Sequence, residues 1–277
     1  MFIFTFFLLY LLFYFNLRIF AADFKTKKRE TSLLTKQNII MNRKNKQKGM
    51  FAAAVIAIIL QPATVIAQNK VEASLGADLV SDYIWRGQHL GNVSIQPSVA
   101  VAYKGFSLTG WSSIGFQKDD TKEIDLTLAY KTGGFSVSVT DYWTAGGPGY
   151  FHFGAKNTAH VFEAQAGYDF NFLAVNWYTN FAGNDGVNSD GKRAYSSYVN
   201  LSAPFRLGGL EWTAEIGATP WRTTFYNNGA NGFEVTDIGI RADKEIPITS
   251  QFSLPLFVKA IWNPSTEGVY FVAGLTF

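Results

Sequence analysis

Three histidines, His89, His152 and His160, are all the imidazole this 277-residue chain holds, and it has no cysteine. Thiol nucleophiles and disulfides are therefore both excluded. Hydrolysis through a serine needs a histidine base oriented by a third group, and His160 with Ser196, Ser197 or Asn200 is the arrangement these residues allow. The parity of His160 argues against it. It alternates in step with Phe162, Ala164 and Ala166, which in a strand places it on their apolar side, near a rim. No histidine pair has ligand spacing and no carboxylate run resembles a calcium loop. Gly146-Gly147-Pro148-Gly149 is turn chemistry, because no strand and helix flank it as a phosphate loop requires. Catalytic residues, a metal and a cofactor are all expected to be absent, and the chain reads as no enzyme.

The carboxylates say more. Taken from the polar sides of alternating segments, Glu72, Asp78, Asp82, Glu123, Asp125, Glu163, Glu211, Glu215, Asp237 and Asp243 stand against Arg86, Arg241 and Lys259. Gathered inside a wet tube, such a set would concentrate cations and repel anions. The other arrangement is that several acids pair with the bases and plug the tube. Residues 144–159 form the longest connection, and its Tyr150, Phe151, His152 and Phe153 could fold inward as a constriction or project outward as a binding surface. Arg86 shares the parity of Asp82, but four strand residues span about 13 Å, so Arg86 is expected to bridge to a carboxylate on a neighbouring strand. Such a bridge would pin register or place a charge at the eyelet.

A tube must then exist to position them. From Gln68 onward, segments of about ten residues alternate in polarity between turn residues. Twelve are legible: 72–86, 93–103, 106–116, 123–131, 135–143, 160–168, 172–181, 194–205, 210–219, 233–245, 252–262 and 269–277. Their connections alternate between tight turns and longer Gly- and Asn-rich loops, as short periplasmic turns and long outer loops do in membrane barrels. In the last segment Val269, Phe271, Ala273, Leu275 and Phe277 share one face, and the chain stops on that aromatic. As a bare edge strand it would invite aggregation, whereas paired with the first strand it closes a barrel. Phe271, Leu275 and Phe277 are thus the closure terminus. Apolar Ile124, Leu126 and Leu128 are expected to face lipid, with Glu123, Asp125 and Thr127 in the lumen. Trp85, Trp111, Trp143, Trp177, Trp212, Trp221 and Trp262 lie mostly near strand ends, where interfacial girdles sit. The fold class is all-β: a transmembrane, antiparallel, up-and-down β-barrel of about 12 strands.

Residues 41–67 read as a secretory signal peptide, with basic Arg43, Lys44, Lys46 and Lys48, an apolar run from Phe51 to Leu60, and Val65-Ile66-Ala67 at the cleavage site. A second apolar run, Phe2 to Phe15, lies upstream; two export signals in series serve no purpose, so residues 1–40 read as a misassigned extension, with translation starting at Met41, the alternative being a genuine inner-membrane anchor, for which 14 apolar residues are somewhat short. The barrel domain is then 68–277. It carries 14 Lys and Arg against 19 Asp and Glu, a net of −5. No basic patch remains to neutralise phosphates, so nucleic acid is not an expected partner. The expected partners are outer-membrane lipid, the barrel assembly machinery and small polar solutes, and the expected location is the outer membrane of a Gram-negative bacterium.

Ser81-Asp82-Tyr83-Ile84-Trp85-Arg86-Gly87 resembles the Ser-x-Tyr-x-x-Arg-Gly motif that opens Gcw_chp, a family of bacterial conserved hypothetical proteins, with further similarity in Gly105–Ser113 and Glu123–Leu126. The resemblance implies an outer-membrane barrel and brings no chemistry. The functional expectation is a narrow passive channel for small polar or cationic solutes, porin-like in character. A closed structural, adhesin or partner-binding barrel is the alternative, and an outer-membrane hydrolase a distant third.

Overall fold

The computed structural model describes residues 70–154, 157–226, 232–249 and 252–277. The expected extension and signal peptide lie outside them. Fourteen strands follow in order: β1 (Glu72–Val80), β2 (Tyr83–Trp85), β3 (Gln88–Gly91), β4 (Ser94–Tyr103), β5 (Phe106–Gly115), β6 (Lys122–Thr132), β7 (Phe135–Thr144), β8 (His160–Asp169), β9 (Ala174–Gly183), β10 (Ser197–Leu207), β11 (Leu210–Thr219), β12 (Glu234–Thr249), β13 (Phe252–Asn263) and β14 (Gly268–Thr276). Twelve of them form a closed antiparallel barrel in which each strand pairs with its sequence neighbours and β14 returns to β1. No helix occurs among the described residues. Closure uses the predicted terminus: Asp78 pairs with Thr276 and Val80 with Gly274, while Ala77 and Phe277 exchange backbone hydrogen bonds of 3.2 and 2.9 Å.

Alternation resolves into inside and outside as read. Ile124, Leu126 and Leu128 are 43%, 44% and 56% exposed, whereas Glu123 and Asp125 are 7% and 9% exposed. That inverts a water-soluble protein, whose strands bury the apolar face. Phe271 on β14, at 73%, and Phe277 just past its end, at 55%, continue the same outer surface. The interior is more mixed than the carboxylate count suggested. One sector is apolar, with Val80, Phe257, Ile261 and Val272 packed together and joined by Ile84 and Tyr270.

One strand ends early. The segment 72–86 reads as a single strand, but β1 stops at Val80, and Tyr83–Gly91 forms the separate hairpin β2–β3. Its two-residue connection has Arg86 at φ 51 and Gly87 at φ 78. Positive φ at both central residues is the type I′ signature that matches strand twist. Because a hairpin keeps the period of two, alternation alone does not distinguish it from a straight continuation.

Candidate functional site

The β2–β3 hairpin lies inside the barrel and reaches inward-facing side chains around most of the wall. The Tyr83 hydroxyl donates to Glu123 Oε2 on β6 at 3.0 Å, and its ring lies 5.6 Å from Trp111 on β5. Ile84 joins the apolar sector. Trp85 meets the edge of Tyr142 on β7 at 5.7 Å and stacks on Tyr226, from the connection after β11, at 5.9 Å. Asn263 on β13 donates through Nδ2 to the Gly87 carbonyl at 3.0 Å, and His89 stacks on Tyr270 of β14 at 6.0 Å. Trp85 and Trp111 are therefore lumen side chains and not part of a girdle.

Arg86 is the centre of these contacts. Its Nη1 and Nη2 donate to the two Glu163 oxygens at 2.6 and 2.8 Å, and Nη1 also donates to the Tyr226 hydroxyl at 2.5 Å. The guanidinium carbon lies 4.3 Å from the Trp85 ring, 4.1 Å from Tyr178 and 4.7 Å from Tyr198. Tyr142 donates to Glu163 Oε1 at 2.9 Å, fixing the carboxylate from behind. The partner of Arg86 is thus not on a neighbouring strand: Glu163 stands on β8, with β4, β5, β6 and β7 between it and β1. The reason is the inward turn, which carries Arg86 off the wall and across the lumen. A bidentate, charge-assisted pair between faces of aromatic rings is the geometry that suits a planar guanidinium.

Elsewhere the predicted lumen residues sort into pairs and singles. Lys259 bridges to Glu215, and Arg241 donates to Asp243 at 2.7 Å while lying 3.8 Å over the Phe257 ring. Glu211 sits exposed with Arg206, a base outside the predicted set. So Glu163, Glu211, Glu215 and Asp243 each carry a base, and the field of ten acids is weaker than a bare count implies. Asp78 accepts from Thr276 at 2.7 Å, Glu123 from Tyr83, and Asp237 from Tyr198 at 3.3 Å. Asp125 Oδ1 is buried with no hydrogen-bond partner among the described residues. Glu72 lies exposed at the start of β1. Asp82 leaves the wall between β1 and β2 and faces His89 at 3.5 Å.

Glycine makes room for one of these contacts. A Cβ at Gly217 would fall 1.8 Å from the Tyr198 hydroxyl, so this ring lies flat across β11 to reach Asp237 only because position 217 has no side chain.

Beyond the strands, Asp120 caps the connection after β5. Its carboxyl is held below the usual carboxylate range, first by the Gln117 N–H at 2.8 Å and then by the Asn92 side chain at 2.7 Å. This ties the end of the hairpin to the rim.

The segment Tyr150–Phe153 belongs to another surface. His160 has outward parity, as read, but it is fully covered: Phe153 stacks on it at 4.3 Å, Nε2 meets the Tyr150 carbonyl at 2.5 Å and Nδ1 meets Asp141 at 2.8 Å. Phe151 remains 73% exposed, and the His152 carbonyl accepts from Thr158 at 2.7 Å. The segment packs over the outer face of β7 and β8, the outward of the two placements expected for it. The hydrolytic residues do not assemble. Both His160 nitrogens are engaged as above, Ser196 pairs with Thr223, and Ser197 bonds Thr179 at 2.8 Å and the Tyr195 carbonyl at 2.9 Å.

Tyr142, Tyr178, Tyr198 and Tyr226 are absent from the predicted lumen set, which holds only acids and bases. The first three had a signal, since they share the inward parity of Asp125, Gln165 and Asn200. Tyr226 had none, because it lies in a connection.

Fold and site together define a closed twelve-stranded antiparallel barrel with an apolar exterior and an internal hairpin pinned by one arginine. No family model and no curated protein matches the chain. Among solved structures it is similar to the crystal structure of an outer membrane channel from Pseudomonas putida F1, at 15% identity over 77% of this chain and 97% of that one, with a TM-score of 0.32.

Proposed function

We propose that this barrel sits in the outer membrane of a Gram-negative bacterium and is a narrow, passive channel for small polar or cationic solutes, with the β2–β3 hairpin as its restriction. The membrane setting is supported by the exterior. Among the described residues no sheet or helix covers Leu126, Leu128, Ile240, Val258 and Phe271, which all face outward from the closed barrel, and lipid is the solvent that suits such a surface. Leu126→Lys should therefore lower folding stability in lipid vesicles by about 2–4 kcal/mol, as a cation near the bilayer midplane does, while Thr127→Lys, one residue on and facing the lumen, should cost much less. Urea titration of both in vesicles checks this, and equal costs would remove the membrane reading.

The channel reading rests on one observation: the lumen holds four carboxylates that make no salt bridge among the described residues, Asp78 and Asp237 met by hydroxyls, and Glu123 and Asp125 hydrogen-bonded to each other, with Tyr83 also on Glu123. These would favour cations in a low-dielectric tube. The hairpin favours the second reading, a closed barrel acting as scaffold, adhesin or partner-binding surface, because it crosses the lumen and packs against an apolar sector. Planar-bilayer conductance separates the two. The channel reading expects a small cation-selective current in the wild type, a larger one in Arg86→Ala, and weaker selectivity in Asp125→Asn. Silence in both wild type and Arg86→Ala would leave the scaffold.

A further inference from the structure

We propose that the pocket around the Arg86 head group is a recognition site for solutes bearing a guanidinium or a comparable organic cation, which Arg86 occupies in cis as a tethered stand-in. The inference deepens the channel reading by naming the solute class, and it rests on that reading only for transport, not for binding.

Only two groups of the cage, Arg86 and Trp85, belong to the hairpin. The rest come from elsewhere: Glu163 from β8, Tyr142 from β7, Tyr178 from β9, Tyr198 from β10 and Tyr226 from the connection after β11. With the hairpin withdrawn, the wall would present a carboxylate oriented by a tyrosine hydroxyl, a second hydroxyl at hydrogen-bond distance from the cation, and two aromatic faces 4.1 and 4.7 Å from the cation position. That combination selects a flat, delocalised cation, because only a planar fork can satisfy both Glu163 oxygens while its faces lie on rings. A hydrated alkali ion would gain neither contact. With the hairpin seated, the Glu163 side chain is 2% exposed and both of its oxygens are taken by the Arg86 fork.

The hairpin is also built to be exchanged. Its β2 and β3 pair only with each other and form no part of the barrel ladder, and their attachment to the wall runs through side chains. An incoming guanidinium solute would compete with Arg86 for Glu163, and its arrival would loosen the restriction.

Purified Arg86→Ala in detergent micelles, titrated with methylguanidinium chloride against potassium chloride at matched ionic strength, tests the site. Methylguanidinium should restore at least half of the lost Tm, saturably and in the millimolar range. Potassium should do neither, and Arg86→Ala combined with Glu163→Gln should show no saturable recovery. Equal response to the two salts, or recovery that survives the loss of Glu163, overturns the proposal. If Arg86→Ala fails to fold alone, refolding yield replaces Tm: rescue by methylguanidinium and not by potassium supports the site, and rescue by neither overturns it. Since none of these readouts requires conduction, a silent bilayer beside a saturable titration would sink the channel and keep the site, while a conducting barrel that ignores methylguanidinium would do the reverse.

Discussion

Glu163→Gln should cost the folded barrel about 3–5 kcal/mol, the loss typical when one member of a buried ion pair is removed and the other charge is stranded. The side chains of Arg86 and Glu163 are 8% and 2% exposed, and the guanidinium makes both of its fork contacts to this one carboxylate. Glutamine keeps one acceptor oxygen but turns an NH2 toward an Arg N–H, so one bond becomes a donor facing a donor. Tyr142 also loses the charged acceptor of its hydroxyl. Urea unfolding in vesicles, followed by tryptophan fluorescence, measures the change. Arg206 and Glu211 provide the internal control, since their side chains are 82% and 66% exposed and such pairs contribute little. Because the two partners act as one unit, Arg86→Ala with Glu163→Gln should cost clearly less than the sum of the singles. A Glu163→Gln loss no larger than that of Glu211→Gln would mean that water reaches the pair and that it anchors nothing.

Gly87→Val should release the hairpin while the barrel stays closed, with a comparable stability loss because the Arg86 contact is broken along with the turn. Two costs act at this position. At φ +78 any L side chain is strained, by roughly 1–2 kcal/mol, and branching at Cβ worsens it. In addition a Cβ would stand 1.8 Å from the Thr236 carbonyl oxygen, a backbone atom at the bulge of β12 where the register against β11 shifts, and not the yielding end of a side chain. The wall therefore rejects the seated hairpin. Hydrogen exchange is the readout: amides of 83–91 should lose protection while those of β5 to β11 keep theirs, and a conducting barrel should pass more current. Gly133→Ala separates the two costs, because Gly133 has φ +56 and nothing within 4 Å of the added atom. It should show strain alone. Unchanged protection of 83–91 in Gly87→Val would mean that the turn tolerates a side chain and that the close approach to β12 is not what seats it.

The two predictions differ in what they probe. The first removes a charge and leaves the turn intact, while the second removes the turn and leaves the charges intact. Agreement between them would locate the restriction in the hairpin as a unit. If only Glu163→Gln destabilised, the ion pair would be a strut between wall and hairpin whose loss leaves the turn in place.

What alternation controls was readable from the residues alone. A period of two sorts Glu123, Asp125 and Thr127 from Ile124, Leu126 and Leu128 whatever the strand pairs with, and closing a tube leaves one side wet and the other bare. For that reason the twelve strands, the pairing of the last with the first and the outward parity of His160 were all visible in advance. The hairpin was not. Tyr83 to Arg86 continues the segment read from β1, and its inward direction depends on groups remote in sequence: Glu163 is 77 residues from Arg86, and Tyr226 is 140. The cover over His160 likewise depends on how a long connection folds back. Local periodicity sets which way a side chain points from its own strand, but contacts across a lumen arise only when the ring closes and brings opposite walls within reach of one arginine.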